Sequence, residues 1–266
     1  MKYTILLILM VSQIMAALIK APILSVDNDK EIATIEIDHI DIGVSGFVVH
    51  HITPEHSSIL KNATVTEYDK ATKIATIKMS AFNALRNNAL PYGKWKPQVG
   101  DTVELAFGYS RALLIAPNEE VYHQITKSVR IQWIHPDLFA TVLSFAGHPT
   151  PLQEDFIGFS NAASVGLLFI YLDKKVYTVD IKSFKILNIT DAPLEVKTKQ
   201  KPFYTRVSKI DANWWGAGSS EMEQYAPHYY ELLVQNNKKN KAFYEIVKNH
   251  KEESVRELAS EFEIGK

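Results

Sequence analysis

Four groups of residues in this 266-residue sequence have types and spacings that could do chemistry. His50, His51 and His56 cluster with Glu55 and offer the donor atoms of a zinc site. Adjacent residues in a strand point to opposite faces, so His50 and His51 are poorly placed to share one ion. Nothing matches the helical His-Glu-x-x-His spacing, and the three read as loop histidines beside Pro54. His135 and His148 each precede a proline and read as turn residues. Gly108-Tyr109-Ser110-Arg111-Ala112 looks like a nucleophile elbow with Ala in place of the last glycine. An elbow must run from a strand into a helix. Leu113-Leu114-Ile115-Ala116-Pro117 is too apolar and too short for that helix, so a continuing strand is expected.

Trp214 and Trp215 stand before Gly216-Ala217-Gly218-Ser219-Ser220. Such a pair can form a stacking platform for a sugar or a protein partner. The favoured expectation is that one ring caps the core at a domain junction, because large aromatics are mostly buried. The last group is Lys238, Lys239, Lys241, Lys248 and Lys251, interleaved with Glu245, Glu252, Glu253 and Glu257. Its plain reading is a solvated helix face with i,i+4 pairs. The sequence closes on Gly265-Lys266, where an ammonium and an α-carboxylate would share one accessible residue.

There is no cysteine, which excludes disulfides, thiol catalysis, cysteine metal sites and lipid attachment at an N-terminal cysteine. The 29 Lys and Arg against 30 Asp and Glu leave no basic excess for nucleic acid. A hydrophobic fraction of 46% excludes wholesale disorder. The sequence therefore predicts a protein that is not an enzyme and holds no cofactor and no metal. Lys2 is followed by the uncharged 17-residue run Tyr3 to Ile19, with small residues at Ala16-Ala17. That is the pattern of a cleaved signal peptide over residues 1–17, with an uncleaved anchor as the alternative. No second run reaches spanning length, so an exported chain without a membrane span is expected.

The elements that must position these residues follow from periodicity. In Ala33-Thr34-Ile35-Glu36-Ile37-Asp38 apolar and polar residues alternate, as in a half-buried strand. Ile74-Ala75-Thr76-Ile77-Lys78-Met79 nearly copies Ile32 to Ile37 and lies 42 residues later. Turns at Asp27 to Lys30, Asp69 to Thr72 and Asp173 to Lys175 predict three hairpins. Further strands are predicted at 46–52, 65–68, 102–107, 129–134 and 203–210, with a helical turn near Ala81 to Arg86 and a loop at Pro91-Tyr92-Gly93. Asn118 is placed to cap one helix, and Pro136 to begin another that Gly147 closes. A third helix is predicted over 153–164, an exposed loop over 191–202, and helices from Met222 onward. The predicted fold class is α+β: a β-rich N-terminal barrel or sandwich, a mixed α/β middle and a helical C-terminal end. The division is a signal peptide at 1–17, a β-rich subdomain at 18–116 and an α+β subdomain at 117–266.

Asp41 to His50, Glu55 to Leu60, Gly108 to Ala112, Trp133 to Asp137 and Ser164 to Leu167 carry a resemblance. These stretches are similar to the N-terminal domain of bacterial plasminogen-binding proteins of the PgbA type. The resemblance implies an exported surface protein whose partner is host plasminogen, which recognises lysines through kringle domains. Lys266 would come first, supplying both charges, with Lys238, Lys239, Lys241, Lys248 and Lys251 in support. Lys248 and Glu252 on one helical turn could imitate a terminal lysine. Longer members add a Lys/Glu-rich tail that this sequence does not contain. If binding lives in that tail, the chain keeps the fold without the activity. A structural or assembly protein of the periplasm or outer membrane, and a carbohydrate binder, are the alternatives.

Overall fold

The alternation that marks the first hundred residues closes into a barrel. The structure, a computed structural model, describes residues 18–83 and 95–264. The signal peptide, the Pro91-Tyr92-Gly93 loop and Lys266 lie outside the described residues. Six strands pair antiparallel in the order β1-β2-β5-β4-β3-β6, and β6 returns to β1. They are β1 (Ile19–Asp27), β2 (Ile32–Glu36), β3 (Ser45–His51), β4 (Ser57–Asp69), β5 (Ile74–Ala81) and β6 (Thr102–Leu105). The near-copied segments become direct neighbours, with Ala33 opposite Ile77 and Ile35 opposite Ala75. Ala33, Ile35, Ala75, Ile77 and Met79 are all buried inside the barrel, and Ile37, just past the end of β2, is half-buried. Closure removes the exposed sheet edges that a sandwich would leave.

A second sheet follows, in the order β11-β10-β9-β7-β8. It comprises β7 (Arg111–Ile115), β8 (Gln132–Ile134), β9 (Leu167–Leu172), β10 (Lys175–Asp180) and β11 (Ile186–Asp191). Strand β7 lies between β8 and β9 and is parallel to both, and the crossovers carry α1 (Glu119–Ser128), α2 (Pro136–Ala146) and α3 (Gln153–Ala163). A sheet covered on both faces should read as continuous apolar strands, and Leu167 to Leu172 does. Leu113, Ile115, Leu168 and Ile170 face Phe139, Phe156 and Phe159 of α2 and α3. Ala112, Leu114, Leu167 and Phe169 face Val121, Tyr122 and Ile125 of α1, in a core that continues into the barrel. The C-terminal end is helical: α4 (Tyr225–Asn236), α5 (Lys241–Lys248), α6 (Glu253–Glu257) and a 3-10 turn at Leu258–Glu261.

The caps sit where the sequence puts them. The Asn118 side chain accepts from Val121 N, Pro136 is the first residue of α2, and Gly147 ends that helix with φ +72°. Three local expectations are corrected. The strand near Tyr68 begins much earlier, at Ser57, because it pairs with both β3 and β5. Ala81 ends β5 instead of opening a helical turn; the rest of that turn reaches outside the described residues. Phe203 to Ile210 is irregular. Its polar groups are taken by Asp137, which accepts from Thr205 Oγ1 (2.8 Å), Arg206 N (2.8 Å) and Arg206 Nε (2.7 Å). Tyr204 and Ile210, which a regular strand would place on one face, enter different cores.

Candidate functional site

The lysine-bearing helix α5 is built by a short amphipathic repeat. Asn240 caps it by accepting from Phe243 N at 3.0 Å, and Phe243 and Val247, one turn apart, are fully buried. The remaining residues turn outward. Lys241, Glu245 and Lys248 are exposed, with Glu245 one turn from each lysine, and Lys248 Nζ lies 5.6 Å from the Tyr244 ring centroid. A cation and an anion are thus displayed side by side on a rigid support.

The other predicted lysines do not join that face. Lys238, half-buried, and Lys239, exposed, precede α5 and line a cleft of about 690 Å³ with Lys185, Glu67 and Glu263. Burial, then the Lys239 charge, holds the Lys185 ammonium below its ordinary pKa. Lys251 follows α5 and lines a different cleft of about 730 Å³. The expected pairing of Lys248 with Glu252 on one helical turn is corrected. Lys248 ends α5, Asn249 caps it, and Glu252 is already the N-cap of α6.

The tryptophan loop departs from expectation too. Neither ring caps a core: Trp214 is 98% exposed and Trp215 82%. The loop is nevertheless tied at both ends. Asn213 donates from N to Gly147 O (3.0 Å) and from Nδ2 to Ala146 O (2.7 Å). Thr150 donates from N to Gly218 O (3.1 Å) and from Oγ1 to Ser220 O (2.7 Å). These bonds fix the loop against the end of α2, where Phe145 is 88% exposed. The core is already filled by Phe139 and Leu143 of α2, so the loop tip has nothing left to cover.

The remaining candidates separate. Ser110 is exposed and leads into strand β7, not into a helix. His50 Nδ1 contacts Asp101 Oδ1 at 2.7 Å, His56 Nδ1 contacts Thr53 Oγ1 at 3.0 Å, and His51 is exposed. His135 is the N-cap of α2, accepting from Asp137 N at 3.2 Å, and His148 Nδ1 lies 2.9 Å from the buried Asp155. Among the described residues no three His, Asp or Glu side chains gather closely enough to hold a metal ion. None of their helices is long and apolar enough to cross a membrane.

The sequence reading missed Asp180. It is fully buried at the end of β10 and accepts five hydrogen bonds. The available signal was a lone carboxylate inside the apolar run Val176 to Ile181.

Comparison with known proteins places this architecture. Residues 18–233 match the family model described as plasminogen-binding protein pgbA N-terminal, and the chain belongs to that family. The plasminogen-binding proteins PgbA of Helicobacter pylori strains J99 and 26695 are each 30% identical to it over 219 residues. The alignment covers 80% of this chain and 47% of each relative, so the chain spans about half the length of the curated relatives it matches. No solved structure matches. Residues 234–264, with α5 and α6, lie beyond the segment matched by the family model.

Proposed function

We propose that this chain is a non-enzymatic, exported binder of plasminogen that engages kringle lysine sites through exposed lysines. Family membership supports the partner. The single observation that supports the mode is the exposed row Lys241, Glu245, Lys248 on α5, which offers an ammonium beside a carboxylate. A kringle site reads that charge pair through an aromatic trough, and a desolvated ammonium there can contribute about 2 kcal/mol. Lys239 and Lys251, on either side of α5, add further contacts, and several kringles on one partner raise the effective concentration. Lys238 and Lys266 complete the set, Lys266 on sequence grounds alone. Replacing Lys241 and Lys248 together by Ala should weaken binding by about tenfold or more. Unchanged affinity would remove α5 from the site, and a loss confined to Lys266→Ala would move it to that residue. The proposal includes export after removal of residues 1–17, a location at the cell surface or in the periplasm, and subdomains at 18–116 and 117–266. Strand β7 pairs with β9 across that boundary.

A second reading has its own observation. Trp214, Trp215 and Phe145 are exposed on one anchored region, as in a stacking platform for a glycan or a structural protein partner. Quenching of tryptophan emission by glycan fragments, lost in Trp214→Ala/Trp215→Ala, would favour it over the lysine reading.

A further inference from the structure

The cleft of about 730 Å³ beside β9, β10 and α4 has the size of a small-molecule site. Its walls include Tyr171, Tyr225, Tyr230, Leu194, Val196 and Ile246. The polar atoms of those walls are occupied within the protein. Tyr171 Oη donates to Leu194 O at 3.0 Å, Tyr225 Oη donates to Tyr171 O at 3.2 Å, and Tyr230 Oη pairs with Tyr177 Oη at 3.3 Å. His250 is also used on both sides, accepting from Glu252 N at Nδ1 (3.1 Å) and meeting Asp173 Oδ2 through Nε2 (3.0 Å). The interior therefore presents apolar surface with its hydrogen-bonding groups already engaged.

The rim is different. Lys174, Lys197, Lys199 and Lys251 are exposed around the opening, and among the described residues none has an ion-pair partner. Lys175 is held by Asp191 and Asp173 by His250. Glu195 and Glu252 are the other carboxylates on the rim, so four unpaired cations face two unpaired anions. We propose that this cleft binds a single-chain anionic amphiphile, a long-chain carboxylate, with its chain against the half-buried Leu194, Val196 and Ile246 and its head among the rim lysines. A peptide would bring backbone donors and acceptors that these walls cannot satisfy, and a neutral lipid would leave the lysines unused. The inference is independent of plasminogen.

The test is isothermal titration of the full chain with sodium laurate below its micelle concentration. Expected is saturable one-to-one binding that weakens about fourfold for each methylene removed in shorter carboxylates, since each buried methylene contributes about 0.8 kcal/mol. Dodecanol, which lacks the charge, should bind about tenfold more weakly. The rim variant Lys174→Glu/Lys197→Glu/Lys199→Glu, at exposed positions that should leave the fold intact, should lose about tenfold for laurate and little for dodecanol. No saturable binding by laurate would overturn the proposal. So would equal binding of laurate and dodecanol, or an acidic peptide displacing laurate with higher affinity.

Discussion

Asp180 at the end of β10 accepts hydrogen bonds from both the backbone N–H (2.9 Å) and the hydroxyl (2.7 Å) of Ser45 at the start of β3. The two residues are 135 positions apart, and the contact joins the second sheet to the barrel. Tyr109, in the segment between barrel and sheet, donates to the same carboxylate oxygen at 2.8 Å. The other oxygen accepts from Lys182 N (3.0 Å) and Ser183 N (2.7 Å), which turns the chain after β10. A buried carboxylate is stable only when its lone pairs are met, and here five donors meet them.

Asp180→Ala should therefore cost about 3 kcal/mol or more, because it leaves buried donors on both sides of the junction without an acceptor. Asp180→Asn keeps the shape and one acceptor oxygen and should cost less, about 1–2 kcal/mol. Urea unfolding of both variants measures this. A change below about 1 kcal/mol in Asp180→Ala would mean that the barrel and the sheet do not depend on this carboxylate.

Gly46 and Gly158 make an opposed pair. A Cβ on Gly46 in β3 would lie 1.9 Å from Glu104 O, a backbone atom of the paired strand β6. Gly46→Ala must separate the two strands and should destabilise the barrel by about 3 kcal/mol or more. Gly158 lies inside α3, exposed, with nothing within 4 Å of the added carbon. Gly158→Ala should stabilise by about 0.5–1 kcal/mol. Thermal melts of the two variants should move in opposite directions.

The buried tyrosines set an alkaline limit. Burial raises the pKa of Tyr225 and Tyr229 well above the ordinary phenol value, and burial followed by the Asp180 charge does the same for Tyr109. The unfolded chain releases these protons near pH 10 while the folded chain retains them. Their contribution is complete below that pH and is lost as pH rises above it, by about 1.4 kcal/mol per pH unit for each such tyrosine. Phenolate absorbance should thus rise in two stages, the second coincident with loss of circular dichroism. A single smooth titration with the fold retained would contradict this burial.

The strands and helices were legible because local chemistry specifies them. The near-identical segments around Ile35 and Ile77 alternate cleanly, and Asn118, Pro136 and Gly147 mark helix ends that need no tertiary context. Barrel closure was not legible, since it depends on β6 pairing with both β1 and β3 over long separations. Phe203 to Ile210 misled because its apolar residues go to two cores while Asp137, some 70 residues away, takes its polar groups. The tryptophan loop misled because general burial tendency says nothing about whether a filled core has room. The lysines were visible as a charge run, but their spacing could not show that α5 ends at Lys248 and sends Lys251 to another cleft.

Plasminogen binding by the immobilised chain, measured with and without a soluble lysine analogue, bears most directly on the proposed function. Saturable binding that the analogue abolishes is expected, because analogue and protein compete for the same kringle troughs. Binding that persists in the presence of saturating analogue, or no binding at all, would contradict the proposed function.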